Sequence, residues 1–154
     1  MKDVKASRQN SKLEAAGAEL LVLGELLIEG IQAYKSHTNL QGYDLVAFNP
    51  QTDKACRIQV KSRAATDYDR SFLISDYDCD FVILAALNRG YRQRRKPNDT
   101  DSGRRAPQFY ILPIAAVELF RSPQDKWGKV RVAEADSYLD NWDLIKDFLG
   151  FELD

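Results

Sequence analysis

From Leu13 to Ile28 apolar residues crowd the chain, and the polar positions among them recur at helical rather than alternating spacing. Ser11 with Glu14 three positions on makes a capping box, and Gly30 is a natural stop. The pattern therefore predicts a helix from Ser11 to about Glu29. At about 100° per residue, Glu14, Glu25 and Glu29 fall within about 60° of one another and form a wet edge. The remaining surface is so apolar that this helix is expected to be buried on most faces. Glu19 stands apart from the wet edge, beside Ala15, Leu23 and Leu26. An unpaired carboxylate is costly to bury there, so it sits either at the rim of a cleft or facing a cation.

Strand signals follow. Ile31 to Lys35 is a short strand and His37 to Gly42 a turn; Tyr43 to Asn49 is a strand, closed by a Pro50–Asp53 turn. From Ala55 to Arg63 the chain alternates: Cys56, Ile58 and Val60 share one face, and Arg57, Gln59, Lys61 and Arg63 the other. Asp80 to Leu87 is apolar throughout, as in a strand covered on both faces. Gln108 to Leu112 is a further strand, and Pro113 suits the first turn of a helix to about Phe120. Lys129 to Ala133 reads as a late edge strand and Ser137 to Leu149 as an amphipathic closing helix. A helix, a three-strand meander, central strands and more helices make a mixed α/β fold, a sheet covered by helices.

The 154 residues, 44% hydrophobic and 29% charged, fit a single domain spanning 1–154 and exclude a disordered chain. No apolar run reaches the ~18 residues of a membrane span, and the N-terminus lacks a signal core. Cys56 and Cys79 fit neither a disulfide framework nor a zinc motif. The protein is expected to be intracellular, in the cytoplasm. Its net charge of −1 hides blocks of opposite sign. Residues 88–107 carry seven basic side chains (Arg89, Arg92, Arg94, Arg95, Lys96, Arg104, Arg105) against two acidic ones, while residues 134–154 carry seven acidic against one basic. The polar stretch 89–106, with Gly90, Pro97 and Gly103, reads as a basic flexible loop that could face a polyanion, although loops are also charged simply because they are solvated.

The chemistry concentrates in Asp44, Gln59 and Lys61. A short turn between antiparallel strands can bring Asp44 to the face from which Gln59 and Lys61 project. A carboxylate and an amide oxygen are hard donors suited to Mg²⁺. A lysine beside them can orient or deprotonate a water, or neutralise developing phosphate charge. Glu19 could bring a second carboxylate to the same ion. The same three residues would also fit the solvated face of a hairpin. Asp76, Asp78 and Asp80 resemble the start of a calcium loop but lack its glycine and closing glutamate. His37, the single histidine, excludes paired-histidine catalysis.

In GAELLVLGELLIEGIQAY, NLQGYDLVAFNP and CRIQVKSR the chain resembles the PD-(D/E)XK nuclease superfamily, most closely its small prokaryotic endonuclease-like and Holliday-junction-resolvase-like members. The resemblance covers about residues 12–63. It implies a restriction-endonuclease-like fold, a central mixed β-sheet flanked by helices, and Mg²⁺- (or Mn²⁺-) dependent hydrolysis of DNA phosphodiesters. By position, the helix glutamate falls on Glu19, the metal-binding aspartate on Asp44, the variable carboxylate on Gln59 and the motif lysine on Lys61. Two residues depart from the motif: Tyr43 stands where proline is usual, and Gln59, an uncharged oxygen donor, where Asp or Glu is usual. The resemblance also implies DNA as partner and a homo-oligomer, a dimer or higher. Arg57 and Arg63, flanking the motif, and the arginines and lysine of the basic loop are the candidate phosphate contacts, with Tyr91, Tyr68 and Arg70 able to interleave stacking with charge. The alternative is a catalytically inactive nuclease-fold protein that binds nucleic acid or a protein partner.

Overall fold

A computed structural model describes residues 11–37, 42–93 and 100–153. The first helix, α1, spans Ser11–Ile28. Gly30, at φ 81°, ends it: its N–H bonds the Leu27 carbonyl at 3.0 Å, and the Ile31 N–H reaches back to the Leu26 carbonyl at 2.9 Å. These are the paired bonds of a Schellman cap, and the fully buried Leu26 and Ile31 supply its apolar contact. The cap turns the chain straight into β1, Gln32–Lys35. The expected burial of α1 on most faces is not found. Ala18, Val22 and Leu26 are its buried residues, because the chain's own sheet covers one stripe of the helix and no more.

Strands β2 (Leu45–Asn49) and β3 (Lys54–Arg63) complete an antiparallel meander with β1. Asn49 fixes the turn between them. Its buried amide donates to the Leu149 carbonyl at 2.9 Å and accepts from the Gln51 N–H at 3.0 Å. The chain then crosses over through a short strand, β4 (Ser71–Leu73), and returns as β5 (Phe81–Ala86), parallel to β3. β6, Gln108–Pro113, pairs antiparallel with β5 and leads into α2, Ile114–Phe120. The five-stranded sheet has the order β1-β2-β3-β5-β6.

All six residues of β5 are buried, as its unbroken apolar run requires. Phe81, Ile83 and Ala85 join the core under α1 and the closing helix α3, Asp143–Phe148. Val82, Leu84 and Ala86 join a second core, which is completed by Phe72, Val117 and Val130. Among the described residues no helix is long and apolar enough to cross a membrane.

Two sequence expectations need correction. The Lys129–Ala133 segment does not edge the main sheet. Its ordered part, β7 (Lys129–Arg131), pairs with β4, which the sequence reading missed, in a separate two-stranded sheet. The closing helix does not begin at Ser137. A 3₁₀ turn, Ala135–Ser137, is followed by a turn whose backbone pairs with β6 through a single bridge, Leu139 opposite Tyr110: Ile111 N–H to the Tyr138 carbonyl at 2.9 Å and Asp140 N–H to the Phe109 carbonyl at 2.7 Å. β6 would otherwise leave these groups unpaired, and satisfying an edge strand outweighs local helix propensity.

Candidate active site

The β2–β3 ladder ends at the Leu45–Ile58 pair, but β3 runs on to Arg63 beside β5 alone. Asp44 stands at this fork. Its N–H donates to the Ile58 carbonyl at 2.8 Å, and its own carbonyl accepts from the Ser36 N–H at 2.9 Å. Its Oδ2 accepts from the Val60 N–H at 2.7 Å, so the carboxylate takes the place of the missing strand partner. Three bonds to β3 and to the segment after β1 hold the residue, two through its backbone and one through its carboxylate.

Glu19 approaches from α1. It lines a pocket of about 320 Å³ with Asp44, Lys35, Ser36, His37 and Tyr43. Lys35 Nζ lies 3.7 Å from its Oε2. Burial, and after it the negative charge of Asp44, push the Glu19 carboxyl above its ordinary value, and Lys35 pulls the other way. The two acids therefore share one field.

Gln59 and Lys61 project from the face of β3 opposite the Cys56, Ile58 and Val60 face, level with Val82 and Leu84 of β5. Burial pushes the Lys61 ammonium below the usual lysine range, and the Asp44 carboxylate opposes that shift. Gln59 Oε1 is buried and has no hydrogen-bond partner among the described residues. A buried acceptor left unpaired is uncommon in a native interior. Asp44 is thus the common neighbour: it couples to Glu19 on the helix side and to Lys61 on β3.

A divalent cation suits this donor set. The carboxylates of Glu19 and Asp44 are hard ligands, and Mg²⁺ typically keeps several waters and takes only one or two carboxylates; Gln59 and Lys61, on β3, do not line the pocket those two share. Among the described residues no group of three or more His, Cys, Asp or Glu is gathered for a metal.

The basic residues divide. Arg57 is already neutralised, at 2.5 Å from Asp78 and 3.6 Å from Asp80, and these pairs tie β3 to the lead-in of β5. Arg63 lines an open groove of about 920 Å³ that starts where β3 ends, together with Arg92, Tyr68 and Lys129 and with the acidic Glu14, Asp67 and Asp69; Asp69 pairs with Lys129 at 3.4 Å. Tyr68 Oη is buried there without a partner among the described residues. Lys129 was missed in the sequence because β7 meets the groove only through its pairing with β4. Arg70 stacks over the Tyr110 ring at 5.9 Å instead.

The basic loop has paired limbs. Tyr91 N–H bonds the Ser102 carbonyl at 2.9 Å, Arg89 bridges Arg104, and Arg105 reaches the Tyr91 hydroxyl at 2.9 Å. Arg94, Arg95 and Lys96 lie outside the described residues. Lys35 and His37, not singled out as site residues from sequence, stand at the rim because β1 ends beside Asp44.

No protein family profile and no curated protein matches the chain. Solved structures do. A bacterial homing endonuclease, I-Ssp6803I, superposes with a TM-score of 0.56 at 19% identity, over 90% of this chain and 93% of that one. Hjc, a Holliday junction resolvase from the archaeal hyperthermophile Archaeoglobus fulgidus, aligns at 15% identity with a TM-score of 0.48, over 92% of this chain and 99% of that one. At these identities the likeness concerns fold. The fold expected from the sequence holds at that level: the chain has a mixed α/β fold, a central five-stranded sheet flanked by helices, shared with the homing endonuclease.

Proposed function

We propose that this chain is a divalent-metal-dependent DNA endonuclease. The observation that carries the reading is Asp44, pinned at the strand fork and coupled electrostatically to both Glu19 and Lys61, with the unpaired Gln59 oxygen on the neighbouring strand. Asp44 and Glu19 would hold Mg²⁺ or Mn²⁺, with Gln59 Oε1 as a neutral donor. Such an ion supplies a Lewis acid at the phosphoryl oxygens and an acidified water. Lys61 Nζ, half-buried and carried on a rigid strand, donates hydrogen bonds to the attacked phosphate and offsets the negative charge that develops on it. The Asp44 carboxylate favours the charged form of Lys61, against the effect of burial. Arg63 and Arg92 hold flanking phosphates along the groove. The fold shared with a homing endonuclease supports the same reading.

The test is cleavage of supercoiled plasmid, linear duplex and four-way-junction DNA by the full chain with Mg²⁺ or Mn²⁺. Asp44→Asn and Lys61→Ala should each lower the rate by at least about a hundredfold, the scale of losing one charge-stabilising group. Full activity in either variant would refute the assignment.

The neutral Gln59 favours a second reading, a nuclease fold that binds DNA without cutting it. Titration calorimetry with Mn²⁺ separates the two. Binding that Asp44→Asn abolishes supports the enzyme, and DNA binding with no metal uptake supports the silent protein.

A further inference from the structure

The face of α1 turned away from the sheet has no role in the candidate site, and its composition is unusual for a solvated surface. Helical geometry puts Leu13, Gly17, Leu20, Gly24 and Leu27 on one arc opposite the buried Ala18, Val22 and Leu26. Leu13 is 71% exposed, Leu20 59% and Leu27 52%, and Ile28 beside them is 80% exposed. No charged residue interrupts the arc.

Its spacing, alternating four and three, is that of a coiled-coil seam. Leucine fills every occurrence of one seam position and glycine every occurrence of the other. Glycine is second only to proline in disfavouring a helix interior. A Cβ added at Gly17 or Gly24 would meet nothing within 4 Å, so packing inside this chain does not account for either residue.

A second α1 laid antiparallel on the first accounts for both. Antiparallel seams set one position against the other, so two of the three leucines on each helix cover the two glycines of the facing helix, large against small. A parallel pair would stack leucine on leucine and leave the glycines as gaps. Two-fold association needs a patch complementary to itself, and this stripe satisfies that requirement. Eighteen residues make a helix about 27 Å long, and a strip roughly 10 Å wide covers about 300 Å². A stable interface takes roughly 600–1,000 Å² per partner, so the strip has to be extended: a groove of about 660 Å³ that shares Leu13, Gly17 and Leu20 with it continues over Leu21, Leu87 and Pro107 and is also lined by Glu14 and Arg89.

We propose that α1 is a dimerisation element, pairing antiparallel with α1 of a second copy of this chain. The inference goes beyond the nuclease reading and needs neither metal nor DNA. Because Glu19 is carried on the same helix, the pairing also sets the separation of the two candidate sites.

Sedimentation equilibrium of the full chain in EDTA, from about 1 to about 100 μM, tests it. The wild type should be dimeric. Leu20→Glu should be monomeric with an unchanged circular dichroism spectrum. Gly17→Leu, which replaces glycine by a better helix former but fills the gap, should weaken association at least about tenfold; it also serves if Leu20→Glu fails to fold. A wild-type monomer throughout this range would overturn the proposal, as would a dimer that Gly17→Leu leaves at wild-type strength.

Discussion

Asp44 has two roles that two substitutions can separate. Its Oδ2 accepts the Val60 N–H at 2.7 Å, where β2 no longer supplies a partner. Asp44→Ala removes that acceptor and leaves a part-buried N–H unpaired. Losing a hydrogen bond to a charged group costs about 1.5–3 kcal/mol, and a domain of this size shifts by about 2–4 °C per kcal/mol. Around 2 kcal/mol then lowers the thermal midpoint by about 4–8 °C. Asp44→Asn keeps an oxygen in the same place and loses only charge. Removing the charge relieves Glu19 and deprives Lys61 of its partner, effects of opposite sign. The net change should stay within about 1 kcal/mol, since the neutral hydrogen bond survives. Calorimetric melting at neutral pH in EDTA reads both variants. The reasoning fails if Asp44→Ala melts with the wild type, or if Asp44→Asn falls as far as Asp44→Ala. If it holds, Asp44→Asn becomes the proper control for cleavage and metal binding, because any loss there belongs to charge and not to folding.

Two further perturbations probe the frame. Asn49→Ala removes a buried amide that bonds Leu149 and Gln51, and urea unfolding should show a loss of about 1–3 kcal/mol; a change below about 0.5 kcal/mol would contradict the role given to that side chain. Asp69 is held below its ordinary 3.8, first by the Ser71 hydroxyl and then by Lys129 at 3.4 Å. Its contribution to stability is therefore complete above that value and is lost as pH falls through the lower folded one. The midpoint difference between wild type and Asp69→Asn should shrink between about pH 6 and pH 2; a gap that widens on acidification would reverse the sign argued here.

What the sequence made legible was local. Gly30 announced the end of α1, and the alternation of Cys56, Ile58 and Val60 with Arg57, Gln59 and Lys61 placed the motif on one face of a strand. The short Pro50–Asp53 turn pointed to an antiparallel hairpin. What escaped depended on distant partners. Ser71–Leu73 is too short to carry a pattern, and it becomes a strand only because Lys129–Arg131 lies beside it. Tyr138–Asp140 gave up helix to complete β6. Hydrophobic periodicity registered that α1 is apolar on opposite sides, but it could not show which side this chain covers with its own sheet. Arg57 looked like a phosphate contact because Asp78 and Asp80 are neighbours only in space. The geometry at Asp44 was likewise beyond spacing: the carboxylate meets the Val60 amide because one strand stops where the next continues.

The contact between Asn49 and Leu149 also orders events in time. A hundred positions separate the turn amide from the carbonyl that receives it, so on a growing chain the β2–β3 hairpin emerges long before its anchor does. Domains tend to fold as units during synthesis, and contacts so remote in sequence form late and slowly. Until the last helix docks, the hairpin that carries Asp44, Gln59 and Lys61 has a loose outer end, and a nascent chain interrupted before that point would display these candidate residues without the brace at the hairpin's turn.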